Sequence, residues 1–227
     1  MPMFNSYNPR KRKASSSLAV TPYRKKAYTR QKYSIYKGVP SRFAIPPKRV
    51  ELKYQDGLNS TTIPLAGSII FISGIASGAG PSDRIGRRVQ YHDIQLNYHW
   101  EPALGNSQRA RAVLVYDRQT NQGLPPVTDI MNGTDIAALY NPDNRLRFKI
   151  LWDTSVMTHQ GTNFFYSEGE KGRTNVTIPL KGLDQTFDGP SNGIGDVQRG
   201  SMFWVLLGDV DLSMKFVQRH RIQYFDI

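Results

Sequence analysis

The stretch "RRVQYHDIQLNYHW" at residues 87–100 constrains the fold more than any other. Val89 and Tyr91 share one face of an extended chain, and Ile94, Leu96, Tyr98 and Trp100 then alternate in the opposite phase. A period of two is the mark of a half-buried strand. The phase slip at His92-Asp93 predicts a β-bulge, because one extra residue sends every later side chain to the other face. The same kind of signal recurs along the chain. Val50, Leu52 and Tyr54 alternate. "GSIIFIS" (67–73) is a short apolar run that ends in the turn-rich "GIASGAGPSD". After the turn "LGNSQ" comes "RARAVLVYDR" (109–118). "RFKILWDTSVM" (147–157), "NVTIPLK" (175–181), "SMFWVLLGDV" (201–210) and "SMKFVQRHRIQYFDI" (213–227) complete the set.

Helical signals are scarce. "PVTDIMNGTDIAAL" (126–139) offers one short helix capped by Thr128 or Asp129 and a second turn at Asp135, with Gly133 against a continuous helix. About eight strands joined by long loops rich in Gly, Pro, Asn and Asp suit a two-sheet β-sandwich. A parallel α/β fold would need a helix between successive strands. The expected fold class is all-β: an eight-stranded jelly roll of two sheets, at residues 46–227, behind a basic arm at residues 1–45. Pro46-Pro47 marks the passage into ordered structure.

The charge is divided just as sharply. Residues 1–50 hold 13 of the 30 Lys and Arg and none of the 18 Asp and Glu; the remainder has 17 basic and 18 acidic residues, a net charge of −1. The overall +12 therefore belongs almost wholly to the first fifty residues. Residues 1–40 mix Lys, Arg, Ser and Pro with isolated aromatics, hold no apolar period, and are expected to be disordered. A near-neutral body with a cationic arm points to an anionic polymer or surface as partner. A membrane-seeking arm would carry an apolar helical face, which is missing here. Nucleic acid fits better. Each Lys or Arg that meets a phosphate releases a counterion, and the interleaved Tyr7, Tyr23, Tyr28, Tyr33 and Tyr36 offer stacking surfaces for unpaired bases. The expected nucleic-acid-binding residues are Arg10, Lys11, Arg12, Lys13, Arg24, Lys25, Lys26, Arg30, Lys32, Lys37, Arg42, Lys48, Arg49 and Lys53. Arg10–Lys13 and Arg24–Lys26, ten residues apart, have the spacing of a bipartite nuclear-import signal. Arg219 and Arg221 share a face of the last strand; they either line an interior surface or pair with a neighbouring chain.

Signs of catalysis and cofactors are weak. The absence of cysteine excludes disulfides, thiolate metal sites and a Cys nucleophile. "GIASGAGPSDR" lacks the Gly-Lys-Ser/Thr that completes a phosphate-binding loop. His92, His99, His159 and His220 have no metal-pair spacing and read as strand residues. Asp209 and Asp211 in "GDVDL" could bind Ca²⁺ with outside help, or form a solvated pair in a turn. Glu168 and Glu170 read as exposed loop residues. No G-x-S-x-G motif occurs. We expect no enzyme, cofactor or metal site. No secretory signal is expected, since no apolar stretch follows the basic residues. The three sequons at Asn59, Asn132 and Asn175 are then accidental. The longest apolar run, Met202–Leu207, is far short of the roughly 20 residues a membrane helix needs, so no membrane insertion is expected.

A family resemblance adds to this. "GRRVQYHDIQLNYHW", "RAVLVYDRQTNQGLPP", "DIMNG…DNRLRFKILWDTSV" and the terminal "RHRIQYFDI" occur in the order seen in coat proteins of geminiviruses and related small circular single-stranded DNA viruses. The similarity covers about residues 45–227. It is carried most specifically by "VYDRQTNQG", "RLRFKIL" and the terminal aromatic strand. The resemblance implies a capsid protein, found in the virion and the host nucleus. It would assemble as a homo-oligomeric icosahedral shell, with sixty subunits (T=1) as one option, around a circular single-stranded DNA genome. It also implies an inward-facing arm, partnership with the host nuclear import machinery, and no catalysis. The Cys and His residues proposed to bind zinc in geminivirus coat proteins do not carry over to a chain without Cys. In a sixty-subunit shell the arms would bring about 780 positive charges to the genome, each meeting about one phosphate. The near-neutral body would let subunits pack edge to edge without mutual repulsion. The rival reading is a non-viral nucleic-acid-binding β-sandwich protein with a basic tail.

Overall fold

The computed structural model describes residues 51–102, 108–158, 165–167, 174–212 and 214–227. The arm lies outside the described residues, and with it the expectations about its disorder and its boundary at residue 45. His159, Glu168 and Glu170 lie outside them too.

Eleven strands are present among the described residues: β1 (Leu52–Thr62), β2 (Ser68–Phe71), β3 (Arg88–Pro102), β4 (Gln108–Asp117), β5 (Phe148–Thr158), β6 (Phe165–Ser167), β7 (Thr174–Pro179), β8 (Asp184–Phe187), β9 (Val197–Arg199), β10 (Ser201–Gly208) and β11 (Met214–Asp226). All eight expected strands form, and β6, β8 and β9 are short additions. One sheet has the order β1-β11-β3-β8-β9 with β7 also paired to β3, and the other has the order β2-β10-β4-β5-β6. Every strand pairing is antiparallel. The last strand, β11, lies between β1 and β3, so the two ends of the described chain share one sheet. This is the jelly roll expected from the strand pattern.

The bulge in β3 is where the phase slip predicts it. Tyr224 of β11 pairs with Tyr91 and Gln223 with Asp93, leaving His92 as the extra residue. Val89 and Tyr91 before it, and Ile94, Leu96, Tyr98 and Trp100 after it, are all buried. They meet β10 and β11 in an aromatic centre. Phe216 packs against Trp100 at 4.7 Å and Trp204 at 5.1 Å between ring centroids, and Tyr98 lies 5.7 Å from Phe216. Tilted and edge-on rings at these separations add to the burial of their area.

β10 is buried along its whole length. Met202, Trp204 and Leu206 face the space between the sheets, whereas Val205 and Leu207 belong to a second core. The connection between β4 and β5 builds that second core. It includes the one-turn helix α1 (Val127–Ile130), and it lays Ile130, Met131 and Ala138 over Val113 and Val115 on the outside of the five-stranded sheet. That is why "AVLVY" and "MFWVLL" read as continuous apolar runs: both faces of β4 and β10 are covered. Pro126 occupies the N-cap of α1, so neither Thr128 nor Asp129 caps it as expected. The second turn does form, with Asp135 Oδ1 accepting from the Ala137 amide.

β1 inverts the expectation for its first residues. Leu52 and Tyr54 are 45% and 42% exposed, and Lys53 between them is buried. The inward positions at the start of this strand carry no apolar side chain: they are Lys53, Gln55 and Gly57. The His220 ring fills the space where a Cβ on Gly57 would stand, 2.2 Å away. Gly200, between β9 and β10, has a φ of +73° and lies against the Asp184 carbonyl, a place where only glycine fits without strain.

Candidate nucleic-acid interface

Arg10, Lys11, Arg12, Lys13, Arg24, Lys25, Lys26, Arg30, Lys32, Lys37, Arg42, Lys48 and Arg49 lie outside the described residues. Lys53 is the one expected nucleic-acid contact that falls inside them, and its place corrects the expectation. Its ammonium donates to the Asp83 carbonyl at 2.8 Å and to Asp226 Oδ2 at 3.2 Å, with 6% of the residue exposed. Asp226 also accepts from the Ile85 amide at 2.6 Å and the Gly86 amide at 3.2 Å. Burial alone would raise the Asp226 carboxyl; these two amides and Lys53 hold it below the usual carboxylate range. Lys53 is therefore a tie between the start of β1, the segment before β3 and the end of β11. It is not a phosphate contact.

Six further cations of the body pair with carboxylates: Arg88, Arg109, Arg111, Arg147, Lys215 and Arg221. Arg147 donates to both oxygens of Asp117, at 3.0 and 2.8 Å, and Asp117 is fully buried. This fork-on-fork pair joins "VYDRQTNQG" to "RLRFKIL", two of the pieces that carry the family resemblance, so their specificity is that of a structural clasp. Arg111 pairs with Asp153 and reaches the Ala138 carbonyl at 2.7 Å, tying the β4–β5 connection to its sheet. Arg84 is buried over the Phe187 ring at 4.0 Å and donates to the carbonyls of Ile75, Gly86 and Gly189.

Arg219 and Arg221 do share the outward face of β11, and the alternatives left open for them now separate. Arg221 forks onto Asp56 of β1, 2.7 Å to each oxygen, and lies 4.8 Å above the Tyr54 ring. The Arg221 hydrogen bond is the main reason the Asp56 carboxyl titrates below its ordinary value. The ion pair is thus within the subunit. Arg219, opposite Leu58 of β1 and Asn97 of β3, is exposed and has no carboxylate partner among the described residues. Pairing of β1, β11, β3 and β7 side by side creates a groove of about 690 Å³ on this face. Arg219, Gln95, Asn97, Asn175 and Thr177 line it, with the Arg221–Asp56 pair at one side. Asn97 Nδ2 donates to Asn175 Oδ1 across β3 and β7. The sequence reading missed Gln95, Asn97, Asn175 and Thr177. Strand parity puts Gln95 and Asn97 on the outward face of β3, but only the pairing register sets residues 175–177 beside them.

The residues weighed for metals serve as structural ties. Asp209 accepts from the Arg109 amide at 2.7 Å and its side chain at 3.0 Å; Asp211 accepts from the Leu65 amide at 2.9 Å. His92 and His99 each meet a carboxylate on their own strand, Asp93 and Glu101. Among the described residues no three His, Cys, Asp or Glu gather as a metal site, and no helix is long and apolar enough to cross a membrane.

The body is thus a two-sheet antiparallel jelly roll with several of its cations tied to its own carboxylates. Comparison with known families says what kind of protein it is. The family model "Satellite tobacco necrosis virus coat protein" matches residues 24–227, and the chain belongs to that family. No curated protein is similar enough to count as a match. The chain is therefore a viral coat protein, a structural component of the virion that self-associates into a shell. The resemblance had pointed to a coat protein as well, but of geminiviruses and their relatives; the family that matches is the satellite tobacco necrosis virus one.

Proposed function

We propose that this coat protein closes an icosahedral shell, with sixty subunits as its simplest form, around a single-stranded nucleic acid that its N-terminal arm neutralises. One observation carries this reading: 13 cations without a single acid in residues 1–50, on a body of net charge −1. Thirteen charges per subunit supply strong, salt-sensitive affinity without reading sequence. The tyrosines spread among them favour unpaired bases over a duplex. The body supports the division of labour, since so many of its cations are spent on internal carboxylates. In its finer form the reading is that the genome is circular single-stranded DNA, as the geminivirus-like blocks imply, and that Arg10–Lys13 and Arg24–Lys26 direct the newly made protein into the host nucleus before assembly.

The test is extraction of nucleic acid from purified particles, followed by DNase, RNase and exonuclease digestion. The reading expects a DNase-sensitive, exonuclease-resistant circle; an RNase-sensitive genome would overturn the DNA assignment while leaving the packaging role intact. Deletion of residues 1–40 should leave particles whose ultraviolet absorbance ratio is that of protein alone. Full packaging without the arm would overturn its role. Alanine replacement of either basic cluster should keep a fluorescent fusion of the full chain out of the nucleus, and unchanged nuclear accumulation would remove the import function.

A further inference from the structure

β1 is an edge strand with no strand paired to its outer side among the described residues. It stands at the end of the six-stranded sheet and bonds only to β11. Its 11 residues make it about twice an ordinary strand. The other strands at sheet edges are shorter: β2 has four residues, β6 three, β7 six and β9 three. A short edge offers little to another chain, whereas a long one is a template for a further strand.

The register says which backbone groups stand free. The Ile63 amide donates to the Met214 carbonyl at 2.8 Å, and Thr62 lies opposite Lys215. Hydrogen-bonded rungs of an antiparallel pair recur at every second residue, so the odd-numbered residues of β1 bond to β11. The even-numbered ones, from Leu52 to Thr62, turn their amides and carbonyls to the open side. Among the described residues one of these groups has a partner: the Asp56 carbonyl accepts from Gln55 Nε2 at 3.1 Å. The same six residues have exposed side chains. Three of them are apolar, Leu52, Tyr54 and Leu58, and Leu58 is 59% exposed. The usual devices that blunt an edge are missing. The strand has no Pro, its register with β11 is unbroken, its lysine is buried, and its outward charge, Asp56, is neutralised by Arg221.

We propose that β1 pairs edge to edge with β1 of a second copy, antiparallel about a two-fold axis through Gly57, so that two six-stranded sheets become one. A second copy is the occupant because coat proteins of this family self-associate and because the strand complements itself. Full overlap of residues 52–62 sets Leu52 opposite Thr62, Tyr54 opposite Ser60 and Asp56 opposite Leu58 of the second copy. Even-numbered residues then face even-numbered ones, and the free groups form about a dozen backbone hydrogen bonds. The charges agree with this register. Arg219 lies beside Leu58 on β11 and has no carboxylate among the described residues. The pairing brings Asp56 of the second copy onto the same rung, two strand spacings or roughly 10 Å away between backbones, a gap the two side chains span together. A slip of two residues one way would set Asp56 against Asp56, an unfavourable like-charge pair. A slip the other way would take Asp56 off the Arg219 rung. The contact is isologous, as a two-fold requires. It rests on the shell-forming role and is independent of which nucleic acid is packaged.

The absence of cysteine makes the contact directly testable. Tyr54 and Ser60 lie six residues apart on one strand, roughly 20 Å, too far for a disulfide within a subunit. Across the proposed pair they share a hydrogen-bonded rung, whose Cα separation of about 5.5 Å suits a disulfide. Full-length protein carrying both Tyr54→Cys and Ser60→Cys is assembled, oxidised with diamide and run on a non-reducing gel. Covalent dimers are expected from the double variant and from an equimolar mixture of the two single variants, and none from either single variant alone. Monomers throughout, as when another protein or another segment of this chain occupies the edge, would overturn the pairing. Equal dimers from the single variants would overturn it too. Leu58→Lys places a charge at an exposed site of the edge. It should leave the urea midpoint of the subunit unchanged and abolish particles at concentrations where the parent forms them; particles at the parent's level would overturn the pairing. Covalent dimers without closed shells would uphold the pairing and overturn the icosahedral shell instead.

Discussion

His220 should make the fold acid-sensitive by a calculable amount. Its ring is buried between the sheets, over Gly57 of β1, with Nδ1 3.2 Å from Gln218 Oε1. Burial pushes the imidazole down to about 4 from 6.5, and the Ile72 carbonyl and the Asp56 carboxylate, which favour the charged form, offset only part of this. The folded state thus binds the proton more weakly than the unfolded chain. The stabilisation is present above 6.5 and is lost as the pH falls through the window from 6.5 to 4. The loss is about 2 kcal/mol by pH 5 and about 3 kcal/mol by pH 4. Asp56, the carboxylate whose charge reaches this ring, is itself held below its ordinary value by its hydrogen bond from Arg221. Urea unfolding of unassembled subunits, followed by fluorescence of Trp100, Trp152 and Trp204, measures the effect at pH 4.5, 5.5, 6.5 and 7.5. His220→Gln removes the titrating group. It will cost some packing at every pH, but its stability should be nearly flat where the parent loses about 1 kcal/mol per pH unit. Equal slopes for parent and variant would refute the assignment.

Two structural ties give further tests. Arg147→Ala leaves the Asp117 carboxylate buried without its partner, which should destabilise by about 3–5 kcal/mol, read as a lower urea midpoint; a loss under 1 kcal/mol would mean that Asp117 is satisfied by other groups. Gly200→Ala sets a Cβ 2.0 Å from the Asp184 carbonyl at a φ of +73°. It should cost more than the ~1 kcal/mol of an ordinary glycine replacement and lower the melting temperature by several degrees, and an unchanged melting temperature would show that the β9–β10 turn can shift.

Much of the architecture was legible because the inward residues of β3 are apolar at a period of two and β10 is one continuous apolar run. The bulge at His92 was readable from the same cause: an extra residue inverts the phase, and the phase is visible in side-chain type. β1 shows where such reading fails. Its polar positions face inward because Asp226, 173 residues away, neutralises Lys53, and because Gly57 leaves room for His220. No local pattern records that. The short strands β6, β8 and β9 escaped notice because three or four residues are too few for alternation to register. The groove escaped for a different reason. Asn97, Asn175 and Arg219 are ordinary polar residues until the register brings them side by side.

By itself the sequence determined the all-β class, the strand positions and the division between cationic arm and near-neutral body. These depend on side-chain periodicity and on the count of charges, which are properties of the chain alone. Only the tertiary structure decided which cations remain available. Ion pairing is a matter of distances between groups far apart in the chain, and folding brings Lys53 to Asp226, Arg147 to Asp117 and Arg221 to Asp56 while leaving Arg219 without a carboxylate among the described residues. It likewise decided that the β4–β5 connection covers the five-stranded sheet, because covering a sheet requires apolar residues from a distant segment to reach its outer face.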